Sequence, residues 1–298
     1  MLQIPFHIVD VFAERPLTGN PLAVVPEAER LDAVTMQQIA REFDQPETTF
    51  LLPSKRKSAD WRLRSFTSAG KEVFGTAHAS LGAGWWLAES GTLKLSAGKT
   101  LFAQEIGDRL LPVEIHCEGQ RVASVILTQR SPLFGRIYDD GHALAGSLGL
   151  DEDDLMPQLS PAQVVSTGTA HLLVPVRSRE AIARAHPNAA ELAKILHETG
   201  GQGCYLFCLE PVLGLSTAHA RFFDPRIGRA EDSATGSAAG PLACQLVAHG
   251  VAKDGATVSI EQGYEMGRPS LLSVQVCGGL VRLAGRCITV GDGILRFR

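Results

Sequence analysis

The chain has 298 residues, a formal net charge of -4, and 45% hydrophobic against 20% charged residues. That is enough apolar material for one large core or two of ordinary size, and two is the better expectation. Lys and Arg are scattered without a basic block, which argues against a nucleic-acid partner; no apolar stretch is long enough to cross a bilayer, and Gln3 to Phe12 alternates where a secretory leader would be uniformly apolar, so a cytoplasmic protein without membrane contact is expected.

Phe6, Ile8, Val9, Val11 and Phe12 predict an opening strand. The segment Leu17 to Pro21 (LTGNP) predicts a tight turn, because Asn and Gly tolerate positive φ, and Leu22 to Val25 a second strand. Met36, Ile39, Ala40 and Phe43 recur at helical spacing, so a helix is predicted from about Asp32 to Phe43, closed by Asp44, Gln45 and Pro46. Glu47 then opens a strand through Leu52. Trp61 to Phe66 alternates as another strand, and Ala79 to Ala88 predicts a helix that is apolar nearly all round and therefore surrounded by protein. Short strands are predicted at Leu93 to Leu95, Leu110 to His116 and Val122 to Gln129.

Pro132, Gly135, Asp139 and Asp140 mark a domain crossing between Gln129 and Asp140. The acidic run Asp151 to Asp154 begins a short helix, where negative charge suits the N-terminal dipole. Strands are predicted at Gln163 to Ser166, Leu172 to Val176, Cys204 to Leu209 and Ala218 to Phe223, with a helix over Glu191 to Leu196. Gly200 to Gly203 follows a helix and precedes a strand, the reverse of a dinucleotide fingerprint, so no Rossmann site is predicted. From Thr257 to the C-terminus the pattern is a series of short alternating strands.

The six cysteines lack CxxC spacing and are read as buried thiols; Cys204 and Cys208 share a strand face but lack two further ligands, so no metal site is predicted. Two stretches share one plan: Thr76 to Gly91 and Ala230 to Gly250 each pass from small, amide-rich residues into an apolar helix closed by Gly. His78 stands as far before Gly91 as Ser237 does before Gly250, which suggests two similar halves. Many short strands with few helices, two of them buried, predict an α+β fold of two barrel-like halves, each closed around a central helix.

On the residues alone the candidate chemistry stays open. Glu47 at the start of a strand is as well explained as a solvated or turn-capping residue. His78 at the mouth of an apolar helix is by base rate a capping or core histidine, although the neighbouring amides and the matching Ser237 raise its interest.

The ordered set Asp10 to Phe12, Gly19-Asn20-Pro21, Pro46 to Phe50 (PETTF), Phe66-Thr67 with Glu72, His78 with Leu81-Gly82, Gly168 with His171-Leu172, Glu231 to Ala239, and Gln262 to Ser270 (QGYEMGRPS) resembles the phenazine-biosynthesis isomerase (PhzF-like) family. The resemblance runs from about residue 6 to the C-terminus. It implies a diaminopimelate-epimerase-like fold: two pseudosymmetric domains, 1–130 and 131–287, each a mixed β-barrel around a central helix. The last strand, about 288–298, returns to the first domain, and the active site lies between the domains. It implies a homodimer, no metal and no organic cofactor. Position by position, it places the family's acid/base glutamate at Glu47, its histidine at His78, and the aspartate and serine of the EDxATGSA motif at Asp232 and Ser237. Gly236 matches a glycine whose amide faces substrate. Ala77 replaces the partner glycine, keeping the amide but restricting φ.

The implied reaction moves a proton between carbons of a small cyclic or amino-acid-like carboxylate. Such chemistry needs a carboxyl group that takes the proton and returns it, which falls to Glu47, and nearby groups that stabilise developing charge. His78 and Asp232 would assist proton transfer; the amides at Ala77, His78, Gly236 and Ser237 would hold the substrate carboxylate, with the turn at Gly19 and Asn20 and the loop Asp224 to Arg229 selecting the substrate. No cysteine stands at either helix mouth, which disfavours a two-thiol racemase. Three other readings are an epimerase or racemase with His78 or Asp232 as second base, a serine hydrolase built on Ser237, His78 and Asp232, and a non-catalytic small-molecule-binding protein.

Overall fold

The computed structural model describes residues 2–74, 77–119, 121–225 and 231–297. Thr76 and Ala230, which open the two matched stretches, and positions 226–229 of the expected substrate loop lie outside the described residues. In chain order the elements are β1 (Leu2–Val11), β2 (Asn20–Val25), α1 (Ala33–Phe43), β3 (Glu47–Leu52), β4 (Trp61–Thr67), β5 (Glu72–Val73), α2 (Ala77–Glu89), β6 (Gly98–Ile106), β7 (Arg109–Glu118) and β8 (Arg121–Gln129). There follow β9 (Leu133–Ile137), α3 (Gly141–Leu148), β10 (Gln163–Ser166), β11 (Ala170–Pro175), α4 (Arg179–Arg184), α5 (Ala189–Thr199), β12 (Cys204–Cys208) and β13 (Ala218–Phe223). The last are α6 (Gly236–Ala248), β14 (Thr257–Gln262), β15 (Ser270–Cys277), β16 (Leu280–Gly285) and β17 (Cys287–Phe297).

The chain divides into two compact units, Met1–Leu127 with Ala284–Arg298, and Thr128–Leu283. In the first, β17 pairs antiparallel with β1 and β1 with β2; β2 and β3 run parallel, β3 and β4 antiparallel, β4 and β6 parallel, and β6 and β7 antiparallel. A parallel neighbour requires a crossover, and the two crossovers are α1 and α2. The second unit repeats this order: β10 and β11 antiparallel, β11 and β12 parallel, β12 and β13 antiparallel, β13 and β14 parallel, β14 and β15 antiparallel. Here the crossovers are α4 with α5, and then α6.

Each final crossover helix has 13 residues and fills the inside of its own sheet. Helix α2 packs against β1, β2, β3, β7 and β17, and α6 against β10, β11 and β15. Residues 78 to 85 are all buried, as a helix apolar on every side must be. Gly82 shows why the helix carries small residues: a Cβ there would lie 2.9 Å from Val11 Cγ2 and closer still to Leu22 Cδ2, so only glycine lets α2 sit against β1 and β2. The amphipathic α1 is instead an outer helix, capped by Asp32 accepting from Thr35 N and closed by Asp44 in the left-handed region at φ 48, with Met36, Ile39 and Ala40 inward.

The structure is thus the mixed α+β fold expected, with four local corrections. Leu93 to Leu95 is not a strand, because Leu93 N bonds back to Leu87 O and wraps the segment around the end of α2; pairing starts later, in β6. The crossing after Gln129 contains β9, held by β10 although all five of its residues are exposed. Helices α3 and α4 had no clear apolar period; each is secured by its cap, Asp140 accepting from Ala143 N and Ser178 from Ala181 N. Five cysteines are buried free thiols, but Cys277, at the end of β15 on its outward face, is exposed. No described helix is long and apolar enough to cross a membrane.

Candidate active site

Glu47 is the first residue of β3, held between Leu22 of β2 and Thr67 of β4, so a rigid strand and not a loop carries the carboxylate. His78, the second residue of α2, brings Nδ1 to 3.8 Å from Glu47 Oε2, with side chains only 8% and 14% exposed. His78 Nε2 lies 3.0 Å from the main-chain oxygen of Asn20. A carbonyl oxygen can only accept, so Nε2 carries the proton and Nδ1 turns a lone pair toward Glu47.

Burial pushes the His78 pKa down to about 4, against a smaller upward pull from the Asn20 hydrogen bond. The 3.8 Å approach is therefore not an ion pair at neutral pH, and it is too long for a direct hydrogen bond. The result is a carboxylate beside a neutral imidazole of fixed tautomer. Asn20 takes part through its backbone, by fixing that tautomer.

A stability prediction follows from the lowered value. Between about pH 6.5 and 4 the unfolded chain binds a proton at His78 that the folded chain does not, so stability rises with pH in that window and is lost as pH falls through it. Going from pH 7 to pH 5 should cost about 2 kcal/mol from this residue alone. Urea unfolding at both pH values checks it: His78→Asn should lose less stability on acidification than the wild type, by that amount.

The second unit presents its groups at the head of α6. Gly236 is the first helical residue and Ser237 the second, as Ala77 and His78 are in α2. The amides of the first two residues of an α-helix have no intrahelical partner, and the dipole adds positive potential there, so each mouth suits a carboxylate; in α6 the helical bonds begin with Ala238 and Ala239 donating to Thr235 O. Gln129 Nε2 donates to Gly236 O at 2.8 Å and ties the first turn down. Asp232, in the segment leading to α6, bridges to Phe222 of β13, and its Oδ2 accepts from Thr235 Oγ1 at 2.7 Å.

Ser237 Oγ lies 3.0 Å from His171 Nε2. His171 of β11 is buried and packs edge-to-face on Phe222 at 5.1 Å. The histidine that meets Ser237 is thus His171, where the hydrolase reading had taken His78. The sequence offered only Gly168 with His171-Leu172 as a signal for it. The structure brings Glu47, His78 and Asn20 together in the first unit, and Asp232, Gly236 and Ser237 together in the second; Ala77 sits half-buried at the first position of α2. Thr235 and Gln262, which stand in the quoted motifs but were given no role there, bond to Asp232, and Tyr205, unread in the sequence, bonds to Gln262.

Comparison with known proteins identifies the family. The family described as phenazine biosynthesis-like protein matches residues 9–293. An uncharacterized isomerase of Salmonella typhimurium is 36% identical, over 90% of this chain and 88% of its own. The trans-2,3-dihydro-3-hydroxyanthranilate isomerase of Pseudomonas chlororaphis is 32% identical, over 97% of this chain and 98% of its own. A PhzF-family phenazine biosynthesis protein of Bacillus anthracis superposes with a TM-score of 0.91 at 27% identity, over the full length of both chains. With that match along nearly its whole length, and relatives named as isomerases, the chain is an isomerase-class enzyme that belongs to the phenazine biosynthesis-like (PhzC-PhzF) family.

Proposed function

We propose that the protein moves a carbon-bound proton within a small cyclic or amino-acid-like carboxylate, with Glu47 taking the proton and returning it. The observation that carries the reading is the Glu47–His78 pair: a mostly buried carboxyl on a strand, beside an imidazole whose neutral tautomer is fixed by Asn20. A carboxylate on a strand can take up and return a proton, and the acceptor nitrogen beside it can take up a hydrogen bond from a substrate hydroxyl or amino group. Asp232 assists proton transfer. The amides at Ala77, Gly236 and Ser237 bind the substrate carboxylate, since helix mouths supply oriented donors and a favourable dipole. The reading assigns no step to a metal or organic cofactor.

The test is hydrogen exchange in deuterated water, followed by NMR on a panel of small carboxylates that includes trans-2,3-dihydro-3-hydroxyanthranilate, the compound in the Pseudomonas relative's name. Exchange or isomerisation that disappears in Glu47→Gln supports the proposal. Exchange with inversion at a single carbon would make the enzyme an epimerase, and binding without exchange in either protein would make it a non-catalytic binder. The homodimer implied by the resemblance is tested by sedimentation, where about twice the 31.9 kDa chain mass is the expected result.

A further inference from the structure

We propose that Tyr205, Gln262 and Thr235 form a one-way hydrogen-bond relay that positions Asp232 and holds its carboxylate as an acceptor, making Gln262 and Thr235 positioning residues of the site. The proposal rests on the reading that Asp232 assists proton transfer.

The direction of the relay follows from which groups can only donate or only accept. Gln262, at the end of β14, and Tyr205, on β12, are both fully buried. Gln262 Oε1 lies 3.1 Å from the backbone N–H of Thr235, which can only donate. Gln262 Nε2 lies 2.7 Å from the carbonyl oxygen of Asp232, which can only accept. The amide is therefore oriented from both ends, with no flip available. Its oxygen also faces the Tyr205 hydroxyl at 2.9 Å, so the tyrosine donates. Burial, and then the charge of Asp232, push the Tyr205 pKa far above the phenol range, which keeps that donor in place at any physiological pH.

The second proton of Gln262 Nε2 points to Thr235 Oγ1 at 3.0 Å. Having accepted there, the threonine hydroxyl has one proton left, and it lies 2.7 Å from Asp232 Oδ2. Each link runs one way, from tyrosine to carboxylate. A hydroxyl that can only donate stabilises the ionised carboxylate over the protonated acid. Gln262 thus grips the segment before α6 by backbone and side chain together, at Asp232 O, Thr235 N and Thr235 Oγ1.

Several charged groups stand on the surrounding elements. Arg221 of β13 and the adjacent Glu231 make a two-point ion pair. Glu261 of β14 accepts from the amides of Val212 and Leu213, and Glu265 from His219. Asp224 and Arg268 lie on the flanking loops. All of these remain in place when Thr235 alone is changed, so a difference between variants reports the hydroxyl.

The experiment is a carbon-13 NMR titration of the Asp232 carboxyl in the free protein, assigned by its absence in Asp232→Asn. Thr235→Val keeps the branched shape and removes the hydroxyl. The midpoint of Asp232 should rise by about one pH unit, and Thr235→Ser should restore it. If Thr235→Val does not fold, Thr235→Ala reads the same shift. An unchanged midpoint in the folded valine or alanine variant, or no recovery with serine, would overturn the relay. Failure of the underlying catalytic reading looks different: Asp232→Asn would then exchange substrate hydrogen at the wild-type rate while the titration shift stood.

Discussion

Glu47→Gln should lower the rate of carbon–hydrogen exchange by roughly 10³-fold, about 4 kcal/mol of lost transition-state stabilisation, with little change in thermal stability. The amide has the same shape and keeps the β3 pairings with Leu22 and Thr67, so the strand should be undisturbed. What it loses is the capacity to take up a proton. Exchange and net isomerisation should fall together, because both begin with the same abstraction. Glu47→Asp separates basicity from position: it keeps an ionisable carboxyl but withdraws it by one methylene from the end of a rigid strand. A misplacement of about 1 Å costs on the order of 10²-fold, so aspartate should fall between glutamate and glutamine. Stopped-flow or NMR exchange rates at saturating substrate are the measurement. Equal rates for Gln and wild type would mean that another group takes the proton.

The parts of this molecule that could be read in the sequence are those whose signal is local. Helices α2 and α6 announce themselves because a segment apolar on all sides has to be enclosed, and the shared offset of His78 and Ser237 shows directly in the spacing. Glu47 was visible as a charge placed where a buried strand begins. Strand β9 was not, since its five exposed residues carry no alternation and only the distant β10 makes it a strand. The same holds for the site. His171 and Ser237 are 66 positions apart and meet because β11 packs on α6. The buried amide of Gln262 has no periodic signature; its meaning comes from four partners on β12 and the segment before α6, which no spacing rule connects.

Gly263→Ala should be a strongly damaging change for the candidate residues of the second unit, and it should act on the fold and the chemistry together. Gly263 follows Gln262 directly and opens a tight turn in which Met266 N and Arg268 N both reach back to its carbonyl. It holds φ +79, where a side chain is strained, and a Cβ there would lie 2.6 Å from Ser233 O and also collide with Arg268 O. Both obstacles are backbone and cannot swing aside as a flexible side chain would. The left-handed conformation costs about 1–2 kcal/mol for alanine and the overpacking another 1–3, for a total of roughly 3 kcal/mol, or on the order of 10 °C in Tm. Gly267→Ala is the internal control: it sits in the same turn at φ +69, but its Cβ would meet nothing within 4 Å, so only the conformational cost applies. The difference between the two variants isolates the contact with Ser233, the neighbour of Asp232. Relief of that contact must push the segment carrying Asp232 away from β14 and pull on the Gln262 amide. Exchange activity should therefore fall about 10²-fold in Gly263→Ala, in the fraction that remains folded, and stay near wild type in Gly267→Ala. If the two variants lose equal stability and keep equal activity, Ser233 is not held against Gly263, and the rigidity assigned to the Asp232 segment is lost with it.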